Sequence, residues 1–221
     1  MNLLAIATSG ARGSLALGEF SSKKLQRPPF QVVWEKKAMH SELATVKLQE
    51  LLSMAGKSLT ELTHLAVVIG PGSFTGIRVG VNLARTLAYS LNLPVAPFTT
   101  LELIAANNLA EGQSGLIAMK ALREFFYAAP FAREETGPRE LSPIASLTRE
   151  SLPKHLPTGG VVWAEGDTSG MKVEVEALDL LKGLDQSPGA KAFLSWREIH
   201  PLYIRGSEAE EKMKLGVLKP L

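Results

Sequence analysis

The chain has 221 residues, of which 45% are hydrophobic, and its 24 basic and 22 acidic residues give a net charge of +2. This balance argues against a dedicated nucleic-acid surface, which needs a strong basic bias, although a local basic patch remains open. The absence of cysteine excludes disulfides and thiolate metal sites. No apolar stretch approaches the roughly 20 residues that cross a bilayer. We therefore expect a cytoplasmic protein without a membrane segment, folded as one large or two small domains.

The first third of the chain predicts three strands and a helix. Leu3–Ala7 and Ser14–Phe20 are apolar runs joined by a glycine-containing link, which is typical of a hairpin, and Phe30–Glu35 predicts a third antiparallel strand. His40–Ala55 predicts a long helix, because its apolar residues recur at helical spacing. Its apolar stripe is wide, so we expect this helix to make contacts on more than one side.

A glycine-rich turn follows the apolar strand Leu65–Ile69 and leads into a helix that ends at Leu91. We expect a structural turn in which serine and threonine hydroxyls cap the helix N-terminus; its residues are Gly70, Gly72, Ser73, Thr75 and Gly76. A helix N-terminus can also bind phosphate. However, the turn lacks the Lys-Ser/Thr pair of a P-loop, and the first strand ends at Ala7 instead of a metal-binding carboxylate. The structural turn is therefore favoured over a phosphate site.

The helix after this turn carries small residues at every fourth position: Gly76, Gly80, Ala84 and Ala88. Each glycine inside a helix costs about 1 kcal/mol relative to alanine. Close packing against another helix or a sheet must offset that cost. If Ala84 faces outward, Ala84→Arg should abolish partner binding and leave the fold intact.

The second half of the chain alternates strands and helices more loosely. Strands are predicted near residues 94–98, 116–119, 125–131 and 161–164, and helices after Thr99, within Ser142–Leu152 and over Val175–Leu181. Gly112–Gly115 is the best candidate boundary. We expect an N-terminal lobe over residues 1–112, a smaller lobe over 113–205 and a flexible tail over 206–221.

Catalytic and metal-binding patterns are weak. The four histidines form no H-x-x-H or H-x-x-x-H pair, so we expect no metal site and no cofactor. Ser73 does not stand in a G-x-S-x-G elbow, which disfavours a serine hydrolase. The carboxylates show no acid–base spacing and are expected to be solvated; they include Glu19, Glu35, Asp167 and Asp179.

An interaction surface is the remaining possibility. The helices His40–Ala55 and Gly76–Leu91 have more apolar surface than one sheet needs, and such surface marks an interface when it stays exposed. The second half of the chain could equally bury both helices, and the pattern alone does not decide between these alternatives.

The run from Gly70 to Arg78, GPGSFTGIR, resembles the signature of the TsaB family, also called YeaZ, and the hairpin Leu3–Leu17 resembles the opening of that family. Similar junctions occur at Pro97–Leu101 and in the Pro-x-Tyr-x-Arg of Pro201–Arg205. The resemblance implies an α/β fold of the actin-like, ribonuclease-H-like class, with two lobes of mixed sheets flanked by helices and a reduced second lobe.

The resemblance also implies a non-catalytic role in forming threonylcarbamoyladenosine at position 37 of tRNA. Family members bind and activate a catalytic paralogue, TsaD, an ATPase called TsaE joins the assembly, and tRNA is contacted only indirectly. Without TsaD, relatives form homodimers through the same surface. By this resemblance the partner interface here uses the two long helices, through Leu43, Val46, Lys47, Glu50, Arg78, Val81, Ala84, Arg85 and Ala88.

The chain departs from the family pattern in three places. Ala7 stands where the family commonly has an aspartate, Lys120–Leu122 replaces an Asp-Ala-Arg, and Phe125–Tyr127 replaces a Glu-Val-Tyr. These changes weaken any nucleotide or metal role. The alternative function is an active ATP-dependent small-molecule kinase or ATPase of the actin-like superfamily.

Overall fold

The structure is a computed structural model, and it describes residues 1–35, 40–166, 171–186 and 191–204. An N-terminal sheet has six strands: β1 (Asn2–Ala7), β2 (Arg12–Ser21), β3 (Lys24–Leu25), β4 (Phe30–Glu35), β5 (His64–Gly70) and β6 (Val95–Thr99). Their order is β3-β2-β1-β5-β6, with β4 also paired to β2. β1 and β5 are parallel, as are β5 and β6, whereas β2 is antiparallel to β1 and β4.

Side chains of this sheet alternate between two apolar layers, because successive residues of a strand point to opposite faces. On one face, Leu4 and Ile6 pack with helices α1 (His40–Ala55) and α2 (Phe74–Leu91). On the other face, Leu3 and Ala5 pack with α3 (Thr100–Asn108) and α4 (Ala177–Gln186). The three predicted N-terminal strands and both long helices are confirmed.

The second sheet has five strands: β7 (Ser114–Lys120), β8 (Phe125–Glu134), β9 (Gly137–Glu140), β10 (Ala145–Thr148) and β11 (Val161–Ala164). Their order is β10-β8-β7-β11, with β9 also paired to β8. Ile117, Ala129 and Phe131 belong to the same apolar cluster as Leu3, so this sheet covers the α3–α4 side of the first one.

The last described segments return to the N-terminal sheet. A methyl carbon of Leu181 in α4 lies 3.1 Å from the position that a Cβ on Gly18 of β2 would take. Leu194 pairs with Val95 of β6, and the amide of Leu202 donates to Ile69 O of β5 at 2.8 Å. The division into lobes at residue 112 stays a prediction, and the described parts of residues 171–204 contact the first sheet.

Two expectations about the second half are wrong in detail. The segment Ser142–Leu152 contains β10 and then a 3-10 helix, Arg149–His155, because Pro153 lacks the amide that a longer α-helix needs. The carboxylate of Asp179 is buried and not solvated, because it pairs with Lys172 at 2.6 Å and accepts from the Glu176 amide at the start of α4. Asp167, Arg205 and the predicted tail lie outside the described residues.

Candidate partner-binding site

The glycine turn is clamped between the first hairpin and the C-terminal segment. A Cβ on Gly72 would lie 2.5 Å from Ser9 O, and one on Gly70, whose φ is +118°, would lie 2.8 Å from Leu202 O. The amide of Ser73 donates to Ser9 O at 2.9 Å. Only glycine combines this backbone conformation with so close an approach. Close packing and backbone conformation therefore account for Gly70 and Gly72 in this turn.

The cap at the start of α2 is confirmed for one of the two predicted residues. Ser73 is the N-cap, and its hydroxyl accepts from the Gly76 amide at 3.3 Å. Thr75 is the second residue of the helix and does not cap it. Nothing in the described part of the chain places a histidine or carboxylate in hydrogen-bond contact with the Ser73 hydroxyl, as a serine nucleophile would require.

Buried hydroxyls tie the turn to the sheet. Thr8 Oγ1 donates to Gly76 O at 2.7 Å, and Thr100 Oγ1 donates to Pro71 O at 2.6 Å. Ser9 Oγ lies 3.3 Å from Thr100 Oγ1. Buried polar groups must find partners inside the protein, and here the turn itself supplies them. The hydroxyls closest to the turn thus serve to fix its position.

The small-residue stripe of α2 faces inward. A Cβ on Gly80 would lie 2.3 Å from Thr8 Oγ1 of the first hairpin, so this stripe lets the helix approach the sheet. Val81, Ala84 and Ala88 have no exposed surface. The expectation that Ala84 could face outward is therefore wrong, and these three residues offer no surface to a partner in this fold.

The opposite surface of α1 and α2, which we call the outer helix face, exposes large apolar side chains. Val46 and Met54 of α1 are 55% and 52% exposed, and Phe74 and Tyr89 of α2 are 40% and 68% exposed. Beside them, Lys47 pairs with Glu50 at 2.6 Å. Several large apolar side chains exposed on one layer are typical of a surface that binds another macromolecule.

Arginines and aromatic rings alternate along the same face. The Arg78 guanidinium lies 5.1 Å from the centre of the Phe74 ring, which stacks on Tyr203 at 4.9 Å. The guanidiniums of Arg85 and Arg197 lie 5.6 and 4.6 Å from the Trp196 ring. The Tyr89 ring meets Trp196 edge-on at 5.2 Å. Five of these residues were not predicted as interface residues: Phe74, Tyr89, Trp196, Arg197 and Tyr203. The last three come from a segment more than 100 positions farther along the chain, which no local pattern connects to α2.

A cleft of about 970 Å³ lies between the glycine turn and the second sheet. Ser9, Ser73, Lys120 and Glu165 are among its lining residues. Ala7, at the end of β1, is buried. Within the described ranges, no three histidine or acidic side chains gather closely enough to hold a metal ion.

Arg12 connects the first hairpin to the segment before α4. Its guanidinium donates to both carboxylate oxygens of Glu174 at 2.9 and 2.6 Å and lies 2.8 Å from Glu176. Hydrogen bonding to Arg12 lowers the pKa of Glu174. The pair keeps the C-terminal segment beside the cleft.

Comparison with known proteins finds similarity to TsaB and TsaD proteins. A family model described as TsaD, tRNA N6-adenosine threonylcarbamoyltransferase, matches residues 31–138. The TsaB protein of Bacillus subtilis is 42% identical over 71 residues, which cover 32% of this chain and 31% of the relative. That of Escherichia coli is 34% identical over 100 residues, covering 44% and 43%. Over these segments the chain is similar to TsaB proteins, as its glycine motif led us to expect. The aligned segments span less than half the length of these curated relatives.

The solved structure of YeaZ from Pseudomonas aeruginosa shares the fold of this chain. It has a TM-score of 0.68 at 20% identity, covering 91% of this chain and 99% of the other. The predicted α/β class, with mixed sheets flanked by helices, is confirmed. No helix in the described residues is both long and apolar enough to span a membrane.

The structure separates the predicted interface residues of this chain into two groups. Leu43, Lys47 and Arg85 are partly exposed, and Val46, Glu50 and Arg78 are exposed. The buried group is Val81, Ala84 and Ala88. The interface role of the first six stays a prediction.

Proposed function

We propose that this chain is a non-catalytic subunit of the complex that forms N6-threonylcarbamoyladenosine at position 37 of tRNA, where it binds and activates a TsaD-type catalytic subunit. The outer helix face carries the proposal. Its exposed apolar side chains Val46, Met54, Phe74 and Tyr89 belong to two neighbouring helices. Burying them against helices of a partner would stabilise the partner conformation that binds this surface best, and activation requires such a difference in affinity.

The relatives support the same assignment. The curated TsaB proteins are named for tRNA threonylcarbamoyladenosine biosynthesis, and the matching family model describes the threonylcarbamoyltransferase itself. A subunit that shares its ancestry with the catalytic one can pair with it through equivalent helices. We extend the proposal to a TsaE-type ATPase that joins the assembly, to indirect contact with tRNA and to a cytoplasmic location.

Binding should be measured by light scattering after the chain is mixed with the TsaD-type subunit of the same genome. Val46→Arg places a charge on the outer helix face and should raise the dissociation constant about tenfold or more. Val161→Arg is the matched control, because Val161 is 49% exposed on β11 of the second sheet. Absence of a heteromer with the unaltered chain would reject the proposal.

Self-association provides a second readout of the same face. We propose that the chain alone forms a homodimer through the outer helix face, since that face then has no other partner. Val46→Arg should convert the dimer to a monomer, and Val161→Arg should leave it unchanged. A dimer that resists Val46→Arg would place self-association elsewhere.

The cleft beside the glycine turn favours one alternative, an actin-like kinase or ATPase. It is large enough for a nucleotide and contains Lys120. Against this alternative, β1 ends in Ala7, and the hydroxyls at the turn are bonded within the protein. Calorimetric titration with Mg²⁺–ATP decides between them, because micromolar binding would support the enzyme.

A further inference from the structure

Three arginines, Arg78, Arg85 and Arg197, lie at the outer helix face beside aromatic rings. We call them the arginine row. None of them forms an ion pair with a carboxylate of a described residue, whereas Arg12, Arg27 and Arg139 each do. Helix α2 itself contains no aspartate or glutamate between Phe74 and Leu91. The long axis of this face therefore carries positive charge that the helix does not neutralise.

Aromatic rings hold these guanidiniums in place. Phe74 lies beneath Arg78, and Trp196 lies beneath both Arg85 and Arg197. A ring attracts the flat face of a guanidinium and leaves its N–H edge available to a hydrogen-bond acceptor. Because the side chains are already ordered, an incoming acceptor loses less conformational entropy on binding.

The spacing fits an extended or helical acidic segment. Arg78 and Arg85 are seven residues apart, which is two turns or about 10.5 Å along a helix axis. Carboxylates seven residues apart on a partner helix would lie at the same separation. Arg–carboxylate pairs are also bidentate, so they would fix the register between the two helices.

We propose that the arginine row binds carboxylates of the partner subunit, carried on the segment that covers the outer helix face. The inference rests on the proposed function, because it names the chemistry by which the same face recognises its partner. Apolar contacts at Val46 and Met54 supply affinity, and the arginine row supplies orientation and selectivity for an acidic partner.

The surroundings favour a protein over a nucleic-acid strand. Single-stranded nucleic acid binds by stacking its bases on free aromatic faces. Here guanidiniums lie over Trp196, and Phe74 has Arg78 and Tyr203 against it. Tryptophan, tyrosine and arginine beside exposed aliphatic side chains are the composition of protein–protein hot spots.

The test compares charge reversals in the full chain. Arg85→Glu and Arg78→Glu should each raise the dissociation constant for the TsaD-type subunit about tenfold, and the difference from the unaltered chain should shrink as salt rises from about 50 to about 500 mM. Arg85→Lys should lose less, because it keeps the charge. Lys154→Glu, in the exposed 3-10 helix beside the second sheet, makes the same change of charge and should bind normally.

The outcomes separate the two proposals. If the unaltered chain binds no TsaD-type subunit, the proposed function fails. If it binds, and Val46→Arg weakens the complex but neither arginine reversal does, the arginine row is overturned and the proposed function stands. Fluorescence anisotropy with labelled tRNA adds a further arm. Loss of tRNA binding in Arg85→Glu, with unchanged affinity for the TsaD-type subunit, would also overturn the inference in favour of RNA.

Discussion

The helix layers on the two faces of the N-terminal sheet differ in whether the rest of the chain covers them. On one face, α3 and α4 are followed by the second sheet, whose Phe131 and Ile117 join the same core. On the other, α1 and α2 form the outermost described layer and leave Val46 and Tyr89 exposed. Both faces look alike in the sequence, as apolar strands next to amphipathic helices. The difference shows that an apolar helix face becomes an interface only where the rest of the chain does not cover it.

Glycines inside the helices show the same contrast on a smaller scale. Gly80 of α2 lies against Thr8, where a Cβ would come within 2.3 Å of a hydroxyl oxygen. A Cβ added to Gly183 of α4 would have its closest neighbour, a Phe98 ring carbon, at 3.5 Å, which is an ordinary contact distance. The small-residue stripe therefore serves the inner surface of α2 and not the outer one.

The largest expected effect distinguishes a buried position of α2 from an exposed position of α1. Ala84→Arg should destabilise the fold by about 4 kcal/mol or more, because it forces a long charged side chain into a fully buried site. Urea denaturation followed by circular dichroism measures the loss. The exposed-site variant Val46→Arg should keep the unaltered midpoint. An Ala84→Arg protein that unfolds at the unaltered urea concentration would contradict the assigned orientation of α2.

The next effect compares the two helix glycines. Gly80→Ala should cost about 1–3 kcal/mol through overpacking against Thr8, less the roughly 1 kcal/mol that alanine adds to helix stability. Gly183→Ala gains the helix stabilisation without the clash and should be neutral or slightly stabilising. Thermal unfolding of both variants measures the difference. Equal midpoints would show that α2 can move away from the sheet at no cost.

A smaller effect is expected from the hydroxyl that ties the turn to α3. Thr100→Val keeps the shape of the side chain but removes the donor to Pro71 O, and it should cost about 1–2 kcal/mol because a buried carbonyl loses its partner. Thr75→Val is the control, since Thr75 is exposed. The urea midpoints of the two variants provide the measurement. A loss for Thr75→Val as large as that for Thr100→Val would point to a general effect of valine near the turn.

The smallest effect concerns His64 at the start of β5, which meets the Phe193 ring at 4.9 Å. Burial lowers the pKa of His64, so the unfolded chain binds a proton more readily than the folded one. Stability is therefore unaffected well above the unfolded pKa, and it falls as pH drops below about 6.5. Unfolding midpoints at about pH 7.5 and about pH 5, on either side of that pKa, should differ less in His64→Gln than in the unaltered chain. An identical pH dependence would remove His64 as a contributor.

Local features of the fold were predictable. The apolar runs of β1 and β2, the helical spacing of α1 and the Ser73 cap all depend on residues close in sequence, so each was found. Strand β9 (Gly137–Glu140) was missed, because its glycine, proline and charges are typical of a loop and only pairing with Phe131–Glu134 of β8 makes it a strand. The buried Asp179 was also missed, because its charge is compensated by Lys172, seven residues earlier in the irregular segment before α4, and no regular spacing indicates that contact.

The sequence by itself determined the resemblance to TsaB proteins, the glycine turn and the existence of two long helices with apolar faces, because spacing and a specific motif encode these directly. Only the tertiary structure decided that the Gly76–Ala88 stripe faces inward and that the described chain leaves the outer apolar side chains of α1 and α2 exposed to solvent. It also brought Trp196, Arg197 and Tyr203 beside α2. The physical reason is that the orientation of a helix depends on which of its faces finds a complementary surface, and that surface comes from residues far away along the chain.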